Sequence, residues 1–291
     1  MAADLVQNTL DGLGTGAGYA LLALGFTLIF GVLRRMNLSY GAAILFGAYA
    51  AAWCAQQGLQ SLLALAVVTV AGSVLAGAWV ERVAFAPHAN RGSAIAAMAA
   101  SFALWMQIEE LATLAMPNHL YDFPALHGGA PIALGPWTLR VETLVSLAAA
   151  AAIAAGVQFL LYRTRFGLAV RAVIDSPRAA GLAGIDVAGV SMRVFALASA
   201  IGGIAGWLIA SSHGQVTPML GMWSTLKGLA AMMIGGLGSL PGAVAGGLVL
   251  GLAEAHAQWF LGPQYRDFIT YLLLFALLAL RPPWMTTRSA S

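Results

Sequence analysis

The chain of 291 residues is 60% hydrophobic and only 9% charged, whereas a soluble domain carries about 25% charged residues. So little charge excludes a soluble monomer, whose surface it could not cover, and so apolar a chain excludes intrinsic disorder. The net charge of +3 is too small to indicate a nucleic-acid partner. The composition therefore predicts an all-α, polytopic membrane bundle in the lipid bilayer, with about eight or nine spans that include interrupted or re-entrant helices.

Apolar stretches of about 20 residues predict the individual spans, since a helix of that length crosses the ~30 Å hydrocarbon core. The single spans are predicted at about 12–33, 40–57, 61–80, 93–115, 142–162, 193–212 and 267–281. The stretch 224–258 is too long for one crossing and is broken by GGLGSLPGA at 235–243. It forms either two short spans or a re-entrant pair.

The basic residues predict the orientation of the chain. If the N-terminus lies outside and the spans alternate, eleven of the 14 basic residues fall inside, and Arg140, Lys227 and Arg266 fall outside. Cytoplasmic loops carry the excess of Lys and Arg, so an outer N-terminus and a cytoplasmic C-terminus are expected. No basic region precedes the first span, which is therefore expected to remain uncleaved.

Two of the predicted loops, one on each side of the membrane, are long enough to carry structure of interest. The outer loop 116–141 is rich in Pro and Gly and is expected to be an irregular cap or a docking surface. In the inner loop 163–192, a helix is predicted from Gly167 to Ile174, followed by a second short helix. Ser176 is expected to cap that helix, Pro177 to occupy its first position and Gly184 to end it in a left-handed conformation. Paired short helices suit docking into a groove on another protein, although a basic loop lying on anionic lipid is the alternative.

Three separated stretches resemble a known family of transport proteins. They are YALLALGFTLIFGVLRRMNLSYGAAILFGAYA (19–50), FGLAVRAVIDSPRAAGLAGIDV (166–187) and GGLGSLPGAVAGGLVLGLAEA (235–255). The middle one resembles the cytoplasmic coupling segment of bacterial ABC importer permeases, and all three in this order resemble the LivH-like permeases for branched-chain amino acids. The chain departs from many relatives at Leu38, Ser39 and Tyr40, where they carry roughly NFAHG instead of NLSYG, which leaves the solute preference open. It also carries Arg178 where relatives often have an acidic or polar residue.

The resemblance implies one permease domain over residues 1–291, in the inner membrane of a bacterium. It implies four kinds of neighbour: a homologous second permease, two cytoplasmic ATP-binding subunits, a periplasmic solute-binding protein and the lipid bilayer. The coupling loop would span about 163–192. The residues expected to couple it to the ATPase are Gly167, Arg171, Asp175, Ser176, Pro177, Ala180 and Gly184.

The residues themselves indicate that the energy source lies elsewhere. A P-loop needs a Gly-rich turn that ends in Gly-Lys-Ser or Gly-Lys-Thr, but the only lysine, Lys227, is followed by Gly228 beside a predicted span. The chain is therefore expected not to be an enzyme and to hold no cofactor, with ATP used by partner subunits. A single cysteine, Cys54, and five scattered histidines do not indicate a metal site.

Two glycine-rich interruptions are candidates for the solute path, NLSYG at 37–41 and GGLGSLPG at 235–242. Transporter sites often lie where helices are interrupted, because freed N–H groups and helix N-termini can hold a carboxylate. Close helix packing is the alternative explanation for such glycines. Glu254 is added because a carboxylate in a bilayer is costly, and it is expected to face the path or to pair with His256 or a partner subunit. The path candidates are Asn37, Ser39, Tyr40, Gly41, Gly235, Gly236, Gly238, Ser239, Pro241 and Glu254.

Three other functions remain open from the sequence. Relatives in the same superfamily move urea or short amides. A secondary transporter driven by H⁺ or Na⁺ predicts carboxylate relays inside the membrane and has no use for a capped inner loop. A membrane enzyme or structural subunit predicts a polar catalytic constellation, which the sequence does not indicate.

Overall fold

A computed structural model describes residues 2–88, 94–116, 120–126, 132–134 and 137–280. These residues form eleven α-helices and four short strands. The helices are α1 Ala2–Leu33, α2 Tyr40–Gln56, α3 Leu62–Val80, α4 Ala94–Ala115, α5 Val141–Arg163, α6 Arg165–Asp175, α7 Pro177–Leu182, α8 Val187–His213, α9 Met219–Gly235, α10 Leu240–Leu261 and α11 Arg266–Leu280. The strands are β1 Tyr121–Asp122, β2 Ile132–Leu134, β3 Trp137–Leu139 and β4 Gln215–Val216.

Six of these helical segments are long and apolar enough to cross a membrane. They are Asp4–Leu33, Leu62–His88, Ala94–Ala115, Val141–Arg163, Val187–His213 and Leu240–Leu261. The helices α2, α9 and α11 are shorter, with 17, 17 and 15 residues, close to the lower limit of about 17 for a spanning helix. The all-α membrane class is confirmed, and the predicted span count holds as an approximation.

The helix ends follow the sequence prediction at most positions, but α1 begins at Ala2 rather than near residue 12. Its first turns contain polar residues, which hydropathy alone does not assign to a span. Asp4 lies in the first turn, where a carboxylate is stabilised by the helix dipole. One turn later, Gln7 donates from Nε2 to the carbonyl oxygen of Thr138 at 3.0 Å. Polar contacts of this kind explain why the helix extends beyond its apolar part.

The prediction that the outer loop 116–141 is irregular is wrong for part of it. Strands β2 and β3 pair antiparallel, with Leu134 opposite Trp137. Strand β1 pairs antiparallel with β4, so that Tyr121 lies opposite Val216. Pro and Gly residues suggested an irregular segment. The short runs between them are nevertheless long enough to form two or three paired positions of a β-ladder.

The described chain forms two compact units. The first unit comprises Met1–Thr27, Leu126–Ala154 and Leu226–Ser291. In it, the start of α1 packs on α10 through small residues, since a Cβ added to Gly16 would lie 3.0 Å from Cα of Leu248. Small residues of this kind let two helix backbones approach closely in a membrane.

The second unit comprises Leu28–Ala125 and Ala155–Thr225. Its core is the packing of α2, α3 and α8. A Cβ added to Gly72 would lie 2.8 Å from Cα of Gly47, and one added to Gly203 would lie 2.8 Å from Cα of Val70. Two buried rings, Phe85 and Phe195, lie with their centroids 5.0 Å apart.

Candidate functional site

Four helices of the first unit meet at a buried charged cluster that we call the Glu254 cluster. It comprises Tyr19 of α1, Lys227 of α9, Glu254 of α10, and Arg266, Asp267 and Thr270 of α11. Glu254 is 1% exposed and Lys227 is 7% exposed. Because isolated charges are costly inside a membrane and are usually paired there, such a cluster is a candidate functional or structural centre.

The carboxylate of Glu254 is the hub of this cluster. Its Oε2 accepts hydrogen bonds from Tyr19 Oη at 2.7 Å, from Lys227 Nζ at 3.0 Å and from Arg266 Nε at 3.1 Å. Its Oε1 accepts a hydrogen bond from Thr270 Oγ1. Both carboxylate oxygens are therefore satisfied by partners on three other helices, α1, α9 and α11.

The cluster is balanced in charge. Lys227 Nζ also lies 3.2 Å from Oδ1 of Asp267, and it donates to Tyr19 Oη at 2.9 Å. Arg266 donates from Nη2 to the same tyrosine oxygen at 3.1 Å. Two cations thus face two carboxylates, so α1, α9, α10 and α11 are tied together without an uncompensated charge.

Of the three alternatives expected for Glu254, a place on the path, a pair with His256 or a pair with a partner subunit, the structure does not form the pair with His256. His256 contacts Asn8 and Thr9 of α1, through Nδ1 at 3.2 Å and Nε2 at 3.3 Å. Residues two positions apart on a helix do not face each other, so Glu254 and His256 point to different neighbours. The signal that could have found the true partner was Lys227, the only lysine, in an apolar stretch where a carboxylate has to compensate it.

The predicted path residues 37–39 lie in the connection between α1 and α2, and Tyr40 and Gly41 begin α2. In this segment between α1 and α2, Ser39 Oγ donates to the carbonyl oxygen of Ser101, and Asn37 Oδ1 accepts from the N–H of Ser39 at 3.0 Å. Tyr40 is 1% exposed, and its hydroxyl donates to the carbonyl oxygen of Ala198 at 3.0 Å. These polar groups bond to the protein in this conformation, and their role in a solute path stays a prediction.

The glycine at the start of α2 allows a close approach to α9. The N–H of Gly41 donates to Thr225 Oγ1 at 3.2 Å. A Cβ on Gly41 would collide with the carbonyl oxygen of Gly221 and with that same hydroxyl. Close packing is therefore a sufficient reason for glycine at this position.

The predicted break at 235–242 separates two helices, as expected. Helix α9 ends at Gly235, and Gly236 and Gly238 adopt left-handed conformations with φ of 95° and 81°. Ser239 Oγ then caps α10 by accepting from the N–H of Gly242 at 3.2 Å, and Pro241 lies in the first turn. The backbones of Gly235 and Gly242 lie so close together that neither residue has room for a Cβ.

The inner loop forms the predicted helix, break and helix, with α6 running from Arg165 to Asp175 and so extending beyond the predicted Gly167–Ile174. Thr164 Oγ1 accepts from the N–H of Gly167 at 3.1 Å and caps α6. Ser176 Oγ accepts from the N–H of Ala179 at 3.2 Å and caps α7. Gly184 has a φ of 81°, as expected for a glycine that ends a short helix. Span six, predicted from about 193, begins earlier, since Asp186 caps α8 at Val187.

The coupling candidates divide into a buried face and an exposed face. In α6 the candidate Gly167 is buried together with Val170 and Val173, at the spacing expected for one side of a helix. In α7 the candidate Ala180 is buried. Arg171 lies over the ring of Tyr162, with its guanidinium carbon 5.4 Å from the centroid. The exposed face carries Asp175, Pro177, Arg178 and Leu182. Leu182 is 87% exposed, which makes it the most exposed large apolar side chain of this segment.

Within the described ranges, no three or more His, Cys, Asp and Glu side chains are arranged to hold a metal ion.

Comparison with known proteins finds relatives that match nearly the whole chain. The family described as "Branched-chain amino acid transport system / permease component" matches residues 8–278. The permease protein BraD of a high-affinity branched-chain amino acid transport system in Pseudomonas aeruginosa is 26% identical over 289 residues, which cover 95% of this chain and 94% of BraD. The corresponding protein LivH of Escherichia coli K12 is 28% identical over 290 residues, with coverage of 95% and 94%.

Two solved structures share the fold. A metal-chelate type ABC transporter in an inward-facing conformation has a TM-score of 0.56 and 17% identity, over 94% of this chain and 85% of that chain. PsaBC from Streptococcus pneumoniae, solved in complex with a Fab, has a TM-score of 0.55 and 12% identity, over 96% and 95%. At this identity, the likeness concerns the fold alone.

Proposed function

The chain belongs to the family of permease components of branched-chain amino acid transport systems, and from this premise we propose that it forms half of the membrane channel of an ATP-driven importer. Its solutes are branched-chain amino acids. Its partners are a homologous second permease, two cytoplasmic ATP-binding subunits and a periplasmic solute-binding protein. The match over residues 8–278 supports this proposal, since it spans nearly the whole chain.

The capped helices α6 and α7 provide structural support for the proposal, in addition to the family match. The buried residues Val170 and Val173 hold α6 to the protein, while Leu182 of α7 is 87% exposed. Leu168 of α6 is 62% exposed as well, so the capped pair presents two large apolar side chains that a groove on a partner would bury. We assign this exposed face to a groove on the ATP-binding subunit, which then moves the permease when it binds and hydrolyses ATP.

The orientation follows from the same assignment. The N-terminus lies outside, and the C-terminus and the α6–α7 segment lie in the cytoplasm of a bacterial cell. This placement agrees with the excess of arginine in the loops assigned to the cytoplasm. The segments 37–41 and 235–242, together with Glu254, are the proposed lining of the solute path.

The residues also support the proposal that this chain forms the path while its partner subunits hydrolyse ATP. Lys227 is the only lysine of the chain and is bound to Tyr19, Glu254 and Asp267, so it is not available to a nucleotide phosphate. The permease thus provides the path and no ATPase site, and its partner subunits use ATP.

Reconstitution with the candidate ATP-binding subunits and binding protein tests this function. In nanodiscs, Leu182→Ala is expected to weaken binding of the ATP-binding subunit by about tenfold or more, because burying a leucine side chain contributes about 1.5–3 kcal/mol. Solute-stimulated ATP hydrolysis falls with it. Leu63→Ala is the matched control, since Leu63 is 78% exposed at the start of α3, on the opposite side in the proposed orientation. Equal ATPase binding by both variants and the parent chain would show that α7 is not the docking element.

An ion-coupled transporter is the second candidate, and the Glu254 cluster is the observation that favours it. Carboxylates buried within membrane helices serve as proton relays in pumps and transporters. Proteoliposomes that contain this chain alone, energised by an H⁺ or Na⁺ gradient, separate the two functions. Uptake of branched-chain amino acids under these conditions would refute the importer proposal, whereas uptake that needs ATP and the partner subunits supports it. A panel that includes urea and short amides identifies the solute class.

A further inference from the structure

A cavity of about 380 Å³ opens beside the Glu254 cluster in the first unit. This volume lies within the range of about 300–1,000 Å³ that is typical of sites for small molecules. Helix α1 contributes one wall, α10 a second, and the segment that leads into α11 a third. The lining side chains used below are Asp11 of α1, Trp259 of α10, and Pro263 and Arg266 before and at the start of α11.

The guanidinium of Arg266 lines the cavity and is held in a fixed position. Arg266 donates from Nε to Glu254 at 3.1 Å and from Nη2 to Tyr19 at 3.1 Å. Those two bonds use only part of the donor set of a guanidinium, which stays charged in proteins. Because the arginine side chain is 32% exposed and lines the cavity, its remaining donors can meet a ligand carboxylate there.

The same cavity is also lined by the carboxylate of Asp11, whose contacts differ from those of Glu254. Asp11 accepts from Gln7 Nε2 at 3.3 Å and takes part in none of the ion pairs found among the described side chains. Glu254, by contrast, is fully engaged by the cluster. Asp11 is thus the carboxylate in this cavity that an ammonium group can pair with, without first breaking a buried salt bridge.

Part of the cavity lining is apolar. Trp259 and Pro263 line the cavity, and Trp259 is 38% exposed with its ring edge-on to Phe260 at a centroid distance of 4.4 Å. An aromatic ring in this position provides a surface for an aliphatic side chain. One cation, one anion and an apolar wall therefore surround a volume suited to a small molecule.

We propose that this cavity binds a zwitterionic α-amino acid with an apolar side chain. The carboxylate of the ligand lies at Arg266, its ammonium group at Asp11, and its side chain against Trp259 and Pro263. The proposal rests on the proposed function, of which it is a refinement, because it places a solute site on the permease itself. In the proposed orientation the cavity lies toward the outer side, where a periplasmic binding protein delivers solute.

Ligands that lack one charge test the geometry. With the full-length chain in nanodiscs, leucine is compared with isocaproate, which lacks the ammonium group, and with isopentylamine, which lacks the carboxylate. Each missing charge removes a charge-assisted hydrogen bond, so both analogues are expected to bind about tenfold or more weakly than leucine. An analogue that binds as tightly as leucine would overturn the assignment of the corresponding residue.

A variant then assigns the ammonium contact to its residue. Asp11→Asn is expected to weaken leucine binding by about tenfold or more and to leave isocaproate binding unchanged. Asp4→Asn is the matched control, since it makes the same change on the same helix outside the cavity, and it should leave leucine binding unaltered. Equal leucine affinity of Asp11→Asn and the parent chain would place the site elsewhere.

Transport by the assembled complex separates this proposal from the function on which it rests. If the complex imports leucine with ATP but the chain alone shows no leucine binding, the cavity proposal is wrong and the importer function stands. If the complex imports no branched-chain amino acid, the proposed function fails, whatever the chain binds.

Discussion

Replacing Lys227 by methionine is the sharpest test of the Glu254 cluster. Methionine keeps most of the apolar stem but removes two hydrogen bonds, to Tyr19 at 2.9 Å and to Glu254 at 3.0 Å, and the pair with Asp267 at 3.2 Å. Breaking a buried pair by removing one partner costs about 3–5 kcal/mol, because the other charge stays buried and uncompensated. Arg266 still contacts Glu254 at 3.1 Å, so the expected loss is at the lower end, about 3 kcal/mol.

Thermal unfolding of the purified chain in detergent measures this loss. At about 2–4 °C per kcal/mol for a large domain, Lys227→Met is expected to lower Tm by roughly 6–12 °C. The double variant Lys227→Met with Glu254→Gln removes one charge of each sign and is expected to recover most of the loss, since uncharged replacements of buried pairs are often nearly neutral. Arg178→Met is the matched control on an exposed cation and should change stability by about 0.5 kcal/mol or less. A loss below about 1 kcal/mol in Lys227→Met, or a double variant no more stable than the single one, would refute the charge-balance argument.

Two further substitutions test the local geometry. Gly41→Ala is expected to destabilise the second unit by about 1–3 kcal/mol, because its Cβ meets the carbonyl oxygen of Gly221 and the hydroxyl of Thr225. The destabilisation is measured as a lower Tm in detergent, and an unchanged Tm would show that this contact relaxes freely. Ser176→Ala removes the cap on the N–H of Ala179 and is expected to cost about 1 kcal/mol, seen as faster amide hydrogen exchange in α7 but not in α8; unchanged exchange would mean that the cap does not hold α7.

The sequence predicted those parts of the fold that depend on local signals. Ser176, Pro177 and Gly184 lie within nine residues of one another, and each acts on its own turn of backbone, so the capped α7 was predictable. The break at 235–243 was predictable for the same reason. Apolar runs gave most helix ends within a few residues, since hydropathy reports burial in lipid.

The remaining features depend on contacts between distant residues. The first turns of α1 are polar and are held partly by Gln7 on Thr138, a contact that no local pattern encodes. The Glu254 cluster joins residues 27 and 12 positions apart along the chain, from Lys227 to Glu254 and from Glu254 to Arg266. Proximity in sequence suggested His256 as a partner of Glu254. Residues two positions apart on a helix, however, point to different sides. A rule that each intramembrane cation needs an anion would have found Lys227 and Glu254 together.

The burial of Lys227 has a practical consequence for mapping the assembly. Lys227 is the only lysine of the chain and is 7% exposed, so succinimidyl esters and other amine-directed cross-linkers find no lysine on the folded surface. Contacts with neighbouring subunits have to be trapped through carboxylates or introduced cysteines instead. The rate at which Lys227 is acylated then reports how often the helices that enclose it separate.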